Sequence, residues 1–167
     1  MKISFAVLLS ILIFGFISCE KEKENIDVET YISLLKSNQY SENELPDFGP
    51  DDIPALLIHR NDTMIITDFP HNMISSLMFP ECKLGMYVLW TIESIRAVST
   101  DSKYLVGRFP SQNPILALRD APELDLVFDN KSHFKASEAY YNWWHSIALL
   151  SNKMEIDPLE NTEYRWH

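Results

Sequence analysis

Glycine, positive charge and long apolar runs are all scarce in this chain of 167 residues. Four glycines are few for a β-barrel or a β-sandwich, because the tight turns of those folds consume glycine. Only 14 basic residues stand against 24 acidic ones, a formal charge of −10, which argues against nucleic acid and anionic membrane surfaces as partners. The longest apolar run covers residues 3–17. A membrane-spanning helix needs about 20 apolar residues, so this run is too short.

The N-terminus has the pattern of a bacterial export signal that ends in a lipid. Lys2 carries the only charge of residues 1–18, and the apolar run follows it directly. The last four residues resemble a lipobox, in which a small residue precedes a cysteine that is acylated and becomes residue one: Phe16-Ile17-Ser18-Cys19. A leucine usually stands at the place of Phe16. We predict a signal peptide over residues 1–18 and a lipid on Cys19; an uncleaved anchor and an ordinary signal peptide are the alternatives.

Residues 19–26 form a short tether in this interpretation. The alternating acids and lysines from Glu20 to Glu24 cannot bury apolar surface and are expected to stay solvated. The stretch resembles the surface-export signal of certain Gram-negative lipoproteins, although Lys23 stands where the second acid of that signal would be. The expected location is the outer membrane, surface-exposed or facing the periplasm. Removing residues 1–18 leaves a formal charge of −11, so acylation rather than electrostatics has to hold the protein there.

A single helical domain is predicted over residues 27–167. This length is enough for one domain with a core and hardly for two. Once Cys19 is acylated, Cys82 is the only thiol left, which excludes an intramolecular disulfide. Stability therefore has to come from packing, for which four Trp and seven Tyr supply bulk.

Helical spacing recurs along the domain. Asp27 is a candidate N-cap for a helix that runs to residue 36, and the acids and proline at the start of residues 51–60 suit a second helix. Residues 84–98 are apolar at nearly every position through residue 92, which is typical of a core helix, and Glu93 can pair with Arg96 there. The apolar stripe of residues 136–150 predicts another long helix. Residues 64–67 fit either a short strand or a loop.

The predicted fold is mostly α: a compact multi-helix domain with long loops and at most a minor β element.

Residues 69–77 resemble residues 109–118, since both begin with Phe-Pro. Each is followed by an aromatic helix with Tyr three residues before Trp. Two helical-repeat-like units and chance similarity are both compatible with this echo.

Several segments share one pattern: residues 52–57, 69–72 and 82–96, followed by Phe109-Pro110-Ser111 and Trp143-Trp144. Together they resemble an uncharacterised group of short Gram-negative bacterial lipoproteins. The resemblance covers most of the mature chain. It implies a common fold and no known activity, so no functional residue can be carried over from it.

The sharpest enzymatic hypothesis centres on Cys82. The residue stands at the expected N-terminus of the core helix, where the helix dipole would lower the pKa of a thiol, as in papain-like peptidases. A base could come from His71, His133 or His145. Against this, Glu81 opposes thiolate formation and the small residues that usually flank such nucleophiles are missing. An inert, buried cysteine is the simpler interpretation, and we predict no enzymatic activity.

Metal and cofactor sites are not expected. No histidine pair has helical ligand spacing. The adjacent acids invite comparison with glycosidase carboxylate pairs but are more typical of helix starts and solvated surface. The residues considered for these sites are His133, His145 and His167, and the acids Asp51, Asp52, Glu123 and Asp125.

Two binding functions remain. The first is a non-catalytic interaction or accessory role of a lipoprotein with a protein partner, attached to the membrane through Cys19. The second is glycan binding, in which sugars stack on exposed aromatic rings; the candidates are Tyr141, Trp144 and Trp166. In the structural alternative to the second function, Trp143 and Trp144 form an edge of the core.

Overall fold

The structure is a computed structural model that describes residues 26–100, 105–121, 124–146 and 149–167. Short strands separate the helices along the chain. In order, the elements are α1 (Val28–Lys36), a 3₁₀ turn (Pro50–Asp52), α2 (Ile53–Ile58), β1 (Ile65–Ile66), β2 (Cys82–Lys83), α3 (Leu84–Ser99), β3 (Leu116–Leu118), β4 (Leu126–Val127), α4 (Asn130–Trp144), α5 (Leu150–Glu155) and β5 (Tyr164–Trp166).

Local side-chain hydrogen bonds mark the start of α1 and of the 3₁₀ turn that precedes α2. Asp27 Oδ1 accepts a hydrogen bond from the Thr30 amide at 2.7 Å, which confirms the predicted N-cap of α1. Before α2, the Asp52 carboxylate accepts from the Gly49 amide at 2.9 Å. The predicted second helix is therefore present, although its first residues form the 3₁₀ turn.

The core helix predicted over residues 84–98 is α3. Every residue from Leu84 to Ile95 is buried, because other elements surround this part of the helix. Tyr31 reaches it from α1 with its hydroxyl 3.1 Å from Thr91 Oγ1, and Trp90 stacks on Phe109 with ring centroids 5.3 Å apart.

A polar network closes the C-terminal half of α3. Glu93 pairs with Arg96 as predicted, and the Tyr140 hydroxyl donates to Glu93 Oε2 at 2.7 Å. Trp166 Nε1 donates to the Tyr140 hydroxyl at 2.8 Å, while Arg96 donates to the Met154 carbonyl at 3.1 Å. The network joins α3, α4, α5 and β5. Each of these buried polar groups has a hydrogen-bond partner in the protein.

The helix predicted over residues 136–150 has different boundaries. Asp129 caps α4 by accepting from the Ser132 amide at 2.9 Å, and the first turn is polar, so apolar spacing alone misses it. The helix ends at Trp144, after which Lys153 Nζ bonds the carbonyl of Trp144 and, at 3.3 Å, that of Ser146. Leu150 begins a separate helix, α5.

The mostly-α prediction is wrong: among the described residues 40% are helical and 9% lie in strands, so the fold is mixed α/β. In the larger antiparallel sheet, β3 lies between β4 and β5, with Leu116 opposite Val127 on one side and Trp166 on the other. The strands β1 and β2 pair in a second sheet. Strands of two or three residues are too short to show alternation, which is why the sequence pattern did not indicate them.

The Phe-Pro echo does not correspond to a structural repeat. Residues 69–80 form an irregular loop between β1 and β2, whereas residues 109–118 run into strand β3. The prediction of two helical-repeat-like units is therefore wrong. Among the described helices, none combines the length and the apolar character that a membrane crossing requires.

Candidate functional site

A cavity of about 390 Å³ opens where the two sheets meet the first turns of α3 and α4. Its walls are mainly apolar, with a few polar groups. The lining residues are Ile65, Phe79, Pro80, Glu81, Cys82, Lys83, Met86, Pro114, Ile115, Val127, Phe128, Asp129, Ser132 and His133. Its volume lies within the range of about 300–1,000 Å³ that is usual for ligand cavities.

Backbone bonds fix the position of α3 beside the cavity. Ile65 pairs with Lys83 across β1 and β2, and α3 begins directly after β2. The Leu84 amide donates to the Met64 carbonyl and the Gly85 amide to the Asp62 carbonyl, both at 2.8 Å. The first turn of the helix is thus tied to the segment that precedes β1.

Gly85 allows α4 to approach α3 closely at the cavity. A Cβ at this position would lie 2.5 Å from the Arg60 carbonyl oxygen and 2.6 Å from His133 Nε2. Only glycine leaves room for the hydrogen bond between those two groups, which measures 2.8 Å. The absent side chain therefore positions His133 in the wall of the cavity.

The hydrogen bond to Arg60 places one proton on the His133 ring. A carbonyl can only accept, so Nε2 carries the proton that it donates to Arg60. Burial lowers the pKa of the ring, although the bond to Arg60 acts in the opposite direction. Nδ1 is buried and has no hydrogen-bond partner among the described residues.

Cys82 lies in the same wall but is not activated. Its thiol is within hydrogen-bond range of two carbonyls, those of Lys83 at 3.4 Å and Pro114 at 3.7 Å. Burial raises the pKa of the Cys82 thiol to about 12, and the Lys83 ammonium offsets only part of that rise. The expectation of a lowered pKa for Cys82 is wrong, because burial raises this pKa more than Lys83 and the neighbouring backbone groups lower it.

Cys82, His133 and Asp129 all line one cavity, which superficially suggests a nucleophile, a base and an orienting acid. Their hydrogen bonds indicate a different role. The thiol and the imidazole both donate to backbone carbonyls, and the Asp129 carboxylate caps α4. No hydrogen bond joins any two of these three side chains in the described part of the chain, so they do not form a relay.

The other histidines considered for catalysis or metal binding lie elsewhere. His71 packs on Phe69 with ring centroids 4.5 Å apart, and burial lowers its pKa. His145 is exposed at the end of α4, with Nδ1 2.8 Å from the Tyr141 carbonyl oxygen. His167 Nδ1 lies 2.9 Å from Asn113 Nδ2, and burial lowers the pKa of this ring too.

The acidic residues considered as glycosidase pairs or metal ligands do not come together in one site among the described residues. Asp52 serves the turn before α2, next to exposed Asp51, and Asp125 is exposed beside β4. Glu123 and Cys19 lie outside the described residues, as do the signal peptide and most of the tether. Across the described ranges, no group of three or more His, Cys, Asp or Glu side chains is placed to hold a metal ion.

The three aromatic residues proposed for glycan stacking each have close neighbours. The Arg60 guanidinium lies 4.4 Å from the centroid of Tyr141, and Lys153 Nζ lies 4.8 Å from that of Trp144. Trp166 is half-buried in β5 and bonded to Tyr140. Tyr141 is the most exposed of the three, and the rings do not stand on one element.

The loop between β1 and β2, residues 67–81, exposes apolar side chains next to the cavity. Met73 is 87% exposed, Ile74 65% and Met78 68%. The stretch of residues 69–80 contains no acid, lysine or arginine. Since monomeric proteins seldom expose a run of large apolar side chains, the loop is a candidate binding surface.

Hydrogen bonds hold the base of the 67–81 loop. Tyr87 donates to the Pro70 carbonyl at 3.0 Å from within the core. Asn72 Nδ2 donates to the Ser111 carbonyl and Asn113 Nδ2 to Ser75 Oγ, both at 2.9 Å. The exposed side chains therefore project from an anchored segment.

The rim of the cavity contains residues that sequence reasoning missed. Phe79 and Phe128 face each other with ring centroids 5.5 Å apart, and Phe128 is 57% exposed. The carboxylates of Glu81 and Asp129 are exposed at the cavity, and Lys83 Nζ donates to the Phe128 carbonyl at 2.7 Å. The uncharged, methionine-containing stretch before Glu81 was the available signal for this surface.

Comparison with known proteins identifies the family. The family model described as a domain of unknown function, DUF4943, matches residues 22–167. The chain belongs to the DUF4943 family. This confirms the predicted membership of an uncharacterised family and assigns the DUF4943 domain nearly the whole chain after the apolar N-terminus. No curated protein and no solved structure matches the chain.

Proposed function

We propose that this DUF4943 protein is a lipid-anchored lipoprotein of the outer membrane with a non-catalytic accessory role, exerted by binding a partner protein. The observation that carries the proposal is the exposed apolar surface of the 67–81 loop, where Met73, Ile74 and Met78 are all more than half exposed. Such a surface is costly in water and favourable in an interface. The cavity that begins at Phe79 extends it with a recess for an inserted side chain.

The state of the polar groups at the cavity supports a binding role over a catalytic one. The Cys82 thiol has a pKa raised to about 12 by burial, so almost none of it is thiolate at neutral pH. His133 donates its proton to a backbone carbonyl. These groups form a wall for an occupant.

The anchor is supported by the sequence. The apolar N-terminal run ends at a lipobox-like sequence, and the charged residues after Cys19 suit a solvated tether. Replacing Cys19 by Ala is expected to move the protein from the membrane fraction to the soluble fraction. Continued membrane association of the Cys19→Ala protein would contradict the lipid anchor.

Partner binding is tested by photo-cross-linking in intact cells. A photoreactive amino acid at position 78 is expected to capture one abundant protein, which the same amino acid at exposed Glu160 does not capture. The captured protein is then purified and has to bind the lipoprotein in isolation. Capture at both positions alike, or none at position 78, would contradict the proposed surface. Binding of a polysaccharide instead, with quenching of tryptophan fluorescence, would support the glycan alternative.

A further inference from the structure

The cavity beside the 67–81 loop has the features of a receptor for a positively charged side chain. We propose that it binds a lysine or arginine of the partner protein, with the aliphatic part among the apolar wall residues and the charge at the rim. The inference rests on the proposed function, because it takes the occupant from a protein.

The interior of the cavity suits the stem of a long side chain. Ile65, Met86, Ile115 and Val127 provide apolar wall surface within a volume of about 390 Å³. Lysine and arginine bury their methylene groups along such surface while the charged end stays near water. An acidic side chain has a shorter stem and would leave the deeper wall uncovered.

The rim has an aromatic pair that can contact a cation. The rings of Phe79 and Phe128 are inclined at 51°, with centroids 5.5 Å apart. An aromatic face attracts a cation within about 6 Å of its centroid. Phe128 is exposed, so it remains accessible to a group entering from outside.

The charges of the lining favour a cation as well. Glu81 and Asp129 are exposed and line the cavity, and neither has an ion-pair partner among the described side chains. Lys83 is the single cation of the lining, and its ammonium is engaged by the Phe128 carbonyl. The formal charge of −11 after residue 18 would also speed encounter with a basic partner.

The helix N-termini at the cavity do not reverse this preference. Free amides at such ends would favour an anion. Here the Leu84 and Gly85 amides donate to carbonyls of the segment before β1, and the Ser132 amide donates to Asp129. These three amides are thus already bonded to protein acceptors.

The test compares three peptides of equal length that differ at one position. Acetyl-Leu-Lys-Leu-amide, its Gln analogue and its Glu analogue are titrated into the purified protein at low salt, and binding is followed by amide chemical shifts. The Lys peptide is expected to bind about tenfold more tightly than the Gln peptide, and the Glu peptide most weakly. Added salt is expected to reduce the difference.

Charge-matched variants locate the effect. Glu81→Gln and Asp129→Asn are each expected to weaken the Lys peptide about three- to fivefold and to leave the Gln peptide unchanged. Asn remains a good N-cap, so Asp129→Asn keeps the start of α4. Asp51→Asn removes the same charge at an exposed position of the 3₁₀ turn and is expected to change nothing.

Three results would overturn the inference: equal affinities for the three peptides, the same loss in Asp51→Asn as in Glu81→Gln, or no binding at about 10 mM peptide. Tightest binding of the Glu peptide would instead indicate an anion site at Lys83. These failures leave the proposed function standing if position 78 still captures a partner in cells. Conversely, selective binding of the Lys peptide without any captured partner would contradict the proposed function.

Discussion

The two ends of helix α3 differ in their surroundings: polar groups are enclosed and hydrogen-bonded at one end, and a cavity lies at the other. In its C-terminal half, Glu93 and Arg96 are enclosed and bonded to each other, to Tyr140 and to the backbone of α5. At its N-terminal end, the helix borders an accessible apolar cavity with exposed carboxylates at the rim. One end is closed by protein, and the other is open to an occupant.

This difference separates what holds the DUF4943 fold together from what is available for binding. A satisfied and largely enclosed polar network fixes four elements in one arrangement, because leaving any member unpaired is costly. Accessible apolar surface gives no comparable benefit to the isolated protein. The closed end therefore contributes to stability, whereas the open end leaves a surface available for the binding that we propose.

The largest predicted effect concerns the thiol at the open end. With its pKa raised from 9.0 to about 12, Cys82 contains about a thousandfold less thiolate at pH 8 than an ordinary thiol. Reaction with Ellman's reagent is expected to be at least that much slower in the folded protein than in urea, and to rise about tenfold per pH unit. Fast labelling at pH 8 would support Cys82 as a nucleophile and would contradict the assignment of the open end to binding alone.

Breaking the network at the closed end should be the most damaging single substitution. Glu93→Ala leaves Arg96 without its carboxylate and the Tyr140 hydroxyl without its acceptor, at a cost of about 3 kcal/mol. Urea denaturation measures this cost. Lys135→Ala, which removes an exposed ion pair with Glu163, serves as the control and should barely move the midpoint. Equal effects of the two substitutions would refute a special role for the network.

Glycine at position 85 is predicted to be required at the open end. Gly85→Ala gains about 1 kcal/mol of helix propensity but costs up to about 3 kcal/mol by overpacking against Arg60 and His133, a net loss of about 2 kcal/mol. Gly49→Ala is the matched control, because no atom lies within 4 Å of its added Cβ and its φ of −119° suits alanine. A stable Gly85→Ala protein would show that the two helices can separate at little cost.

The smallest predicted effect is a pH dependence of the protein's stability that comes from His133. Its pKa is lowered in the folded state, so the unfolded chain binds protons more readily as pH falls below about 6.5. The stability that the neutral ring contributes is therefore present above that pH and lost below it. His133→Gln is expected to flatten the fall in melting temperature between pH 7 and pH 5. His145→Gln, on the surface, should keep the slope of the unmodified protein; equal slopes in all three would exclude His133.

The sequence predicted helices α1 and α3 and the ion pair at the closed end, but not the cavity at the open end. Asp27 and the apolar run after Leu84 are local signals, and both led to the observed helices. The Glu93–Arg96 pair follows from helical spacing alone. Tyr140 and Trp166 complete that network from distant positions, which no local pattern could indicate.

The sheets and the cavity escaped prediction for a physical reason. Leu116 meets Trp166 only because the chain folds back over a long separation, and two- or three-residue strands have no readable period. The cavity likewise joins Phe79 to Phe128, which are distant in sequence. The polar first turn of α4 hid the start of that helix, although Asp129 was a detectable N-cap.

Methionine-methyl NMR tests most directly whether a ligand binds at the open end of α3 and leaves the closed end unchanged. Met86 lines the cavity at the open end, whereas the backbone of Met154 belongs to the closed network. On titration with the Lys peptide, we expect the Met86 methyl signal to shift and saturate while the Met154 signal stays in place. A shift at Met154 as large as at Met86, or no shift at Met86 while the peptide binds, would contradict this expectation.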